Sequence, residues 1–217
     1  MTSDLSSPGD VRAAPWPPDP PLVAILRGLQ PERAVEVASL LFDAGFLAVE
    51  VPLNRAGALE AIAAIAAAAP AHAWVGAGTV IDASQVDAVA SAGGRLIVPP
   101  HFDPAIVRRA RERGLRVVPG VFTASEAFAA WRAGADALKA FPAEALGSAG
   151  LQALATVLPP GLPLWPVGGV TPASIADWRR AGATGFGLGG ALFKPEMASA
   201  EIAARGREFV AAWRLAA

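Results

Sequence analysis

The chain has 217 residues, 53% of them hydrophobic and 17% charged, with 18 basic against 19 acidic side chains. That is enough apolar material for one well-buried domain, and the near balance of charge excludes the basic surplus that a nucleic-acid backbone or an anionic membrane surface would need. With no Cys, disulfides, thiolate metal ligands and a thiol nucleophile are excluded as well.

The first 21 residues carry six Pro and no basic stretch followed by an apolar one, so residues 1–20 read as an irregular tail rather than a secretory signal. One domain is expected over residues 21–217. Within it the Ala-rich run at 56–70 is too short to span a bilayer and is bounded by Asn54, Arg55 and Pro70, so a soluble, cytoplasmic protein is expected.

From Pro21 onward, short β-prone runs alternate with longer stretches of helical period. Strands are predicted at 22–26, 47–51, 73–77, 95–99, 115–119, 136–140, 162–166 and 184–188. The helix signals fall between them. Pro31 opens the first helix after Gln30, Asp82 caps the third, Asp103 with Pro104 starts the fourth, Thr123 with Glu126 sets a capping-box spacing for the fifth, and Thr171 with Pro172 starts the seventh. Gly45, Gly93, Gly114, Gly134 and Gly182 stand where a left-handed residue would stop a helix. Eight βα units of about this length point to a single (β/α)8 barrel of the TIM type. A doubly wound open sheet is the rival, disfavoured because no Gly-rich dinucleotide turn follows the first strand.

In such a barrel the active site forms at the C-terminal ends of the strands. Side chains alternate along a strand, which groups Val23, Ile25 and Arg27 on one face, Ala48 and Glu50 on another, Val75, Ala77 and Thr79 on a third, and Ala137, Lys139 and Phe141 on a fourth. In each, a polar residue ends an apolar face, so Arg27, Glu50, Thr79 and Lys139 are expected at one mouth.

Each has a plain alternative. A Lys near a strand end commonly reaches solvent, but apolar residues on both sides of Lys139 would disfavour its ammonium form, and a neutral amine is what Schiff-base chemistry requires. Glu50 reads either as an ion-pair partner of Arg27 or Lys139 or, if it faces the same cavity, as a proton shuttle. Thr79 either caps a loop or donates a hydroxyl to a substrate carboxylate. Arg27 offers that carboxylate a planar fork or forms a surface salt bridge. Gly168 with Gly169, and Gly189 with Gly190, follow the last two strands, where this fold binds phosphate through backbone N–H groups at helix N-termini. His72 and His101 lack companions at metal spacing, and neither a metal nor another cofactor is expected. The six Trp read as packing, and Arg108, Arg109, Arg111 and Arg113 as a solvated helix face.

Together, Ile25-Leu26-Arg27-Gly28, Val49-Glu50-Val51-Pro52-Leu53-Asn54, Gly76-Ala77-Gly78-Thr79-Val80, Val118-Pro119-Gly120, Leu138-Lys139-Ala140-Phe141-Pro142-Ala143-Glu144 and Gly168-Gly169-Val170-Thr171-Pro172 resemble the class I 2-keto-3-deoxy-6-phospho-aldonate aldolases. The resemblance runs from about Pro21 to the C-terminus. It implies Lys139 as the Schiff-base lysine, Glu50 as the proton shuttle, Arg27 and Thr79 at the pyruvate moiety, and Gly168, Gly169, Gly189 and Gly190 around phosphate. It further implies a homotrimer that cleaves a phosphorylated keto-deoxy sugar acid to pyruvate and glyceraldehyde 3-phosphate. Pro52-Leu53-Asn54 is similar to the phosphogalactonate branch, the phosphogluconate branch being the alternative. The sequence departs from the family at Pro99-Pro100-His101, where relatives carry Ser or Thr before the Pro, and at Gly190, where many carry Ser. A sugar-phosphate isomerase or epimerase, and a barrel that binds a phospholigand without catalysis, are the readings from other classes.

Overall fold

In the computed structural model, which describes residues 15–216, each apolar run predicted as a strand pairs with its neighbours and each helical stretch packs beside it. The order is β1 Leu22–Ile25, α1 Ala34–Asp43, β2 Ala48–Pro52, α2 Ala58–Ala68, β3 Trp74–Gly78, α3 Ala83–Ser91, β4 Leu96–Val98, α4 Pro104–Glu112, β5 Arg116–Val117, β6 Gly120–Val121, α5 Ala124–Arg132, β7 Leu138–Ala140, α6 Ala143–Val157, β8 Leu164–Pro166, α7 Ile175–Arg180, β9 Phe186–Leu188 and α8 Ser199–Leu215. Every pairing between these strands is parallel, so the fold is α/β. Six strands form one sheet in the order β5-β4-β3-β2-β1-β9 and three form a second in the order β6-β7-β8. A parallel bridge between Val167 and Gly187 joins the sheets on one side. On the other, the Gly120 N–H donates to the Pro99 carbonyl at 3.0 Å.

The strand predicted at 115–119 forms only as β5, and a second short strand, β6, follows beyond it at Gly120–Val121. Pro99, Pro100 and Pro119 have no N–H to give to a ladder, so regular pairing lapses where they face one another. The predicted punctuation forms as expected. The Asp82 side chain accepts from the Ser84 N–H, Asp103 caps the helix that Pro104 opens, and Thr123 with Glu126 completes a capping box. Gly45, Gly93, Gly114, Gly134 and Gly182 all have positive φ. Pro31 and Pro172 each open a short 3-10 turn, Pro31–Arg33 and Pro172–Ser174, that leads into α1 and α7. On and just after α4, Arg109 and Arg113 pair with Asp87, and Arg111 reaches the nearly buried carboxylate of Asp136.

Two apolar clusters divide the core. The larger joins the helices to the strand faces beneath them. The smaller contains no helix residue and is built from strands of both sheets and their flanks: Val23, Ala48, Trp74, Leu96, Val98, Val118, Ala137 and Trp165. Trp16 packs against this second cluster. The expected irregular tail falls partly on residues 1–14, outside the described residues, and partly on 15–20, which form no helix or strand yet are tied in. The Trp16 ring lies 5.5 Å from Trp74 and 5.4 Å from Trp165, its indole N–H donates to the Asp136 backbone carbonyl at 3.2 Å, and the Trp74 indole N–H donates to the Pro15 carbonyl at 3.1 Å. The Arg116 guanidinium sits over both the Trp16 and Trp74 rings and is itself held by the Asp136 carboxylate, a cation–π arrangement on an ion-paired arm.

Trp16 thus seals the end of the strands opposite the polar residues of interest. Trp16→Ala should lower the unfolding free energy by about 2–3 kcal/mol, below the cost of truncating a fully buried Trp because this ring is half-buried. Chemical denaturation measures it, and an unchanged midpoint would contradict the packing role.

Candidate active site

Among the described residues, two charged ones are buried: Glu50, 1% exposed, and Lys139, 6% exposed. Glu50 is the third residue of β2, its Cα in register with Ile25 of β1 and Gly76 of β3. Lys139 is the middle residue of β7, in register with Gly120 and Trp165. They come from different sheets and line one narrow chamber. The rest of its wall is Val23, Ile25, Val98, Val118, Trp165, Val167 and Gly187, which offers no charge-stabilising group.

Such a setting acts on the two groups in the same sense. Burial pushes the Glu50 carboxyl up to about 7, against the opposing pull of the Lys139 and Arg27 charges and of a hydrogen bond from the Gly78 backbone. Burial also pulls the Lys139 amine below the ordinary lysine value. Glu50 opposes that shift and Arg27 adds to it. The Lys139 Nζ lies 4.7 Å from the centre of the Phe141 ring. One oxygen of Glu50, Oε2, has no hydrogen-bond partner although it is buried, an unusual condition for a polar atom and one that leaves it able to receive a proton.

Above this chamber a wider cleft opens, sharing Ile25, Val167 and Gly187 with it. Arg27, which is exposed, and Phe141, whose ring the Lys139 Nζ approaches, both line it. Gly168, Gly169, Gly189 and Gly190 all line it, so both glycine runs meet at one place, as the sequence pattern implied. Their reasons for being glycine differ. Gly168 and Gly169 have φ of 109° and 68°, which glycine alone adopts without strain, and a Cβ on Gly168 would fall 2.0 Å from the Glu144 carboxylate. A Cβ at Gly189 or Gly190 would meet only open space.

The expected helix N-terminus lies close behind the first run, at the turn Pro172–Ser174. It does not lie close behind the second. There the chain makes one turn, Leu192 and Phe193 donating to the Gly189 carbonyl, and α8 begins only at Ser199. Among the described residues, the N–H groups of Gly169, Gly190 and Ala191 donate to no backbone carbonyl, so each is available to an anion in the cleft.

Thr79 is where the sequence reading needs correction. It stands just past the end of β3, but Val75 and Ala77, the residues predicted to share its face, pack into the helix-side cluster. The face of β3 toward the chamber carries Trp74, Gly76 and Gly78. In a parallel sheet buried on both sides the two faces are equally apolar, so alternation alone could not choose between them. Thr79 also has φ of +54°, a conformation strained for a β-branched residue, and it lines neither the chamber nor the cleft. Arg27, Glu50, Lys139 and the four glycines are therefore brought together; Thr79 is placed at the same end of the strands and beside them.

The apolar wall and Glu144 escaped the sequence reading because valines and a first-turn Glu look ordinary. Gly78 did carry a signal, a glycine inside a strand. His72 and His101 are both exposed, and among the described residues no three His, Asp or Glu side chains gather as a metal site.

The model of the family described as "Aldolase: KDPG and KHG aldolase" matches residues 19–205. A probable 2-dehydro-3-deoxy-6-phosphogalactonate aldolase of Rhizobium meliloti (strain 1021) is 44% identical over 200 residues, 92% of this chain and 94% of that protein. The 2-dehydro-3-deoxy-6-phosphogalactonate aldolase of Escherichia coli (strain K12) is 44% identical over 199 residues, 92% of this chain and 97% of the relative. A solved structure described as native KDPGal superposes with a TM-score of 0.88 at 45% identity, covering 90% of this chain and 95% of its own. With the family's model spanning nearly the whole described chain and these relatives covered almost end to end, the chain belongs to the KDPG and KHG aldolase family.

Proposed function

We propose that this chain is a class I aldolase that cleaves 2-dehydro-3-deoxy-6-phosphogalactonate to pyruvate and D-glyceraldehyde 3-phosphate through a Schiff base on Lys139. The observation that carries the reading is the pairing of a buried amine with a buried carboxyl in an apolar chamber, under a cleft lined by both glycine runs. Desolvation lowers the amine toward its neutral, nucleophilic form. It also places the carboxyl near pH 7, where a group can both take and return protons.

The neutral Nζ of Lys139 attacks the C2 ketone, giving a carbinolamine. Glu50 delivers the proton with which the hydroxyl leaves as water, and a protonated imine remains. Glu50, now a carboxylate, takes the proton of the C4 hydroxyl. The C4–O bond becomes a carbonyl, the C3–C4 bond breaks, and its electron pair moves into the imine to form the enamine of pyruvate. Glyceraldehyde 3-phosphate departs. Protonation at C3 and hydrolysis of the imine release pyruvate and restore the lysine. Arg27, which lines the cleft, and Thr79 are assigned to the substrate carboxylate, and Gly168, Gly169, Gly189 and Gly190 to the phosphate. The strain at Thr79 supports a functional reason for that residue.

The two sheets are inferred to close as a single (β/α)8 barrel over residues 21–217. The bridge between Val167 and Gly187, the Gly120 to Pro99 hydrogen bond and a strand-only cluster drawing on both sheets support closure. Among the described residues no helix is long and apolar enough to cross a membrane; a cytoplasmic homotrimer is proposed from the family resemblance.

Borohydride reduction in the presence of pyruvate should add mass at the Lys139 peptide, and Lys139→Ala should abolish both the adduct and cleavage. An unmodified Lys139 in active enzyme would point instead to acid–base isomerisation. The galacto-configured acid should be cleaved with higher kcat/KM than the gluco-configured one in a coupled pyruvate assay, and the reverse order would assign the chain to the alternative substrate.

A further inference from the structure

We propose that Gly78 is a positioning residue that seats the Glu50 carboxyl, an inference that rests on the role given to Glu50 above. An ideal Cβ built on Gly78 would lie 1.9 Å from Glu50 Oε2, 2.3 Å from its Cδ and 2.4 Å from its Oε1. The whole carboxyl group therefore occupies the volume that any other residue at position 78 would fill. The three nearest atoms to that Cβ all belong to Glu50.

Conformation does not explain this glycine. Gly78 is absent from the positive-φ residues of the chain and sits inside β3, in register with Pro52 of β2, a backbone setting that any L-residue adopts. Glycine in a strand interior weakens the strand unless something else approaches closely there. Gly76, two residues earlier, makes the contrast: its Cβ would meet the Leu96 carbonyl at 1.8 Å, so its glycine serves the close approach of two backbones. At Gly78 the approaching group is the side chain assigned to the chemistry.

Glu50 needs such a seat because little else holds it. Its Oε2 has no hydrogen-bond partner, the chamber wall around it is apolar, and the Gly78 backbone faces the carboxyl at close range. Shape fixes the carboxyl where hydrogen bonds do not. A methyl group at position 78 would drive it off the backbone, toward Lys139 or out toward the cleft, and either displacement alters proton transfer in a step sensitive to small misplacements.

The test compares Gly78→Ala, Glu50→Gln and the double variant by kcat, KM and pH–rate profile for aldol cleavage. Gly78→Ala should lower kcat by at least about tenfold, of the size expected for a misplaced acid–base group, with KM little changed and the limb near pH 7 displaced. In the Glu50→Gln background, the same substitution should lower kcat by no more than about twofold, because the interaction it disrupts is already lost. If Gly78→Ala keeps the parent kcat and pH profile, or if its full effect multiplies onto that of Glu50→Gln, the proposal is overturned while the role of Glu50 stands. If Glu50→Gln itself keeps the parent kcat, the role of Glu50 falls and the proposal falls with it. Should Gly78→Ala prove too unstable to purify, the Gly78→Ala/Glu50→Ala pair decides. Recovery of folded protein supports a clash with Glu50, and no recovery overturns it.

Discussion

Two ionisable side chains share a space that stabilises neither charge, and the arrangement of the strands around them follows from that constraint. Transferring an ammonium group into an apolar chamber is unfavourable enough to shift its protonation rather than leave it charged. The carboxyl beside it experiences the same penalty in the opposite protonation sense. Each group attracts the charged form of the other, yet burial is the largest influence on both. The outcome is a pair in which both charged forms are disfavoured, which an exposed Lys–Glu contact would not provide.

The fold sustains this condition by closing one end and opening the other. Trp16, Trp74 and Trp165 fill the end away from the mouth, and Asp136 with Arg116 locks the segment that carries Trp16. Valines from β1, β4 and the strand flanks wall the chamber at the level of Lys139. At the open end the chain trades side chains for backbone: the glycine runs expose N–H groups and leave room for a ligand. A carbon skeleton with a ketone at one end and a phosphate at the other would span from the dry chamber to this polar cleft.

Much of this was legible in the sequence, for definite reasons. Lys139 and Glu50 stood out because each interrupts an apolar run that has no use for a charge, and the glycine runs because they follow the last two strands. Caps such as Asp82, Asp103 and Thr123 are local chemistry and needed no tertiary context. What escaped was whatever depends on neighbours in space. The face of β3 was misassigned because Trp74, Gly76 and Gly78 look no more interior than Val75 and Ala77 when both sides of the strand are covered. The break between β5 and β6 comes from prolines on two adjacent strands, and a single run cannot reveal it. Trp16 lay in a segment whose six prolines signalled irregularity and said nothing of what the indole touches.

The proposed chemistry requires Lys139 to be uncharged when it attacks the ketone. The most direct measurement is an NMR titration of the protein carrying isotope-labelled lysine, with the Lys139 resonance assigned by its loss in Lys139→Ala. A midpoint below that of an ordinary lysine is expected. A Lys139 signal that stays ammonium up to the ordinary lysine range, about pH 10, would contradict it.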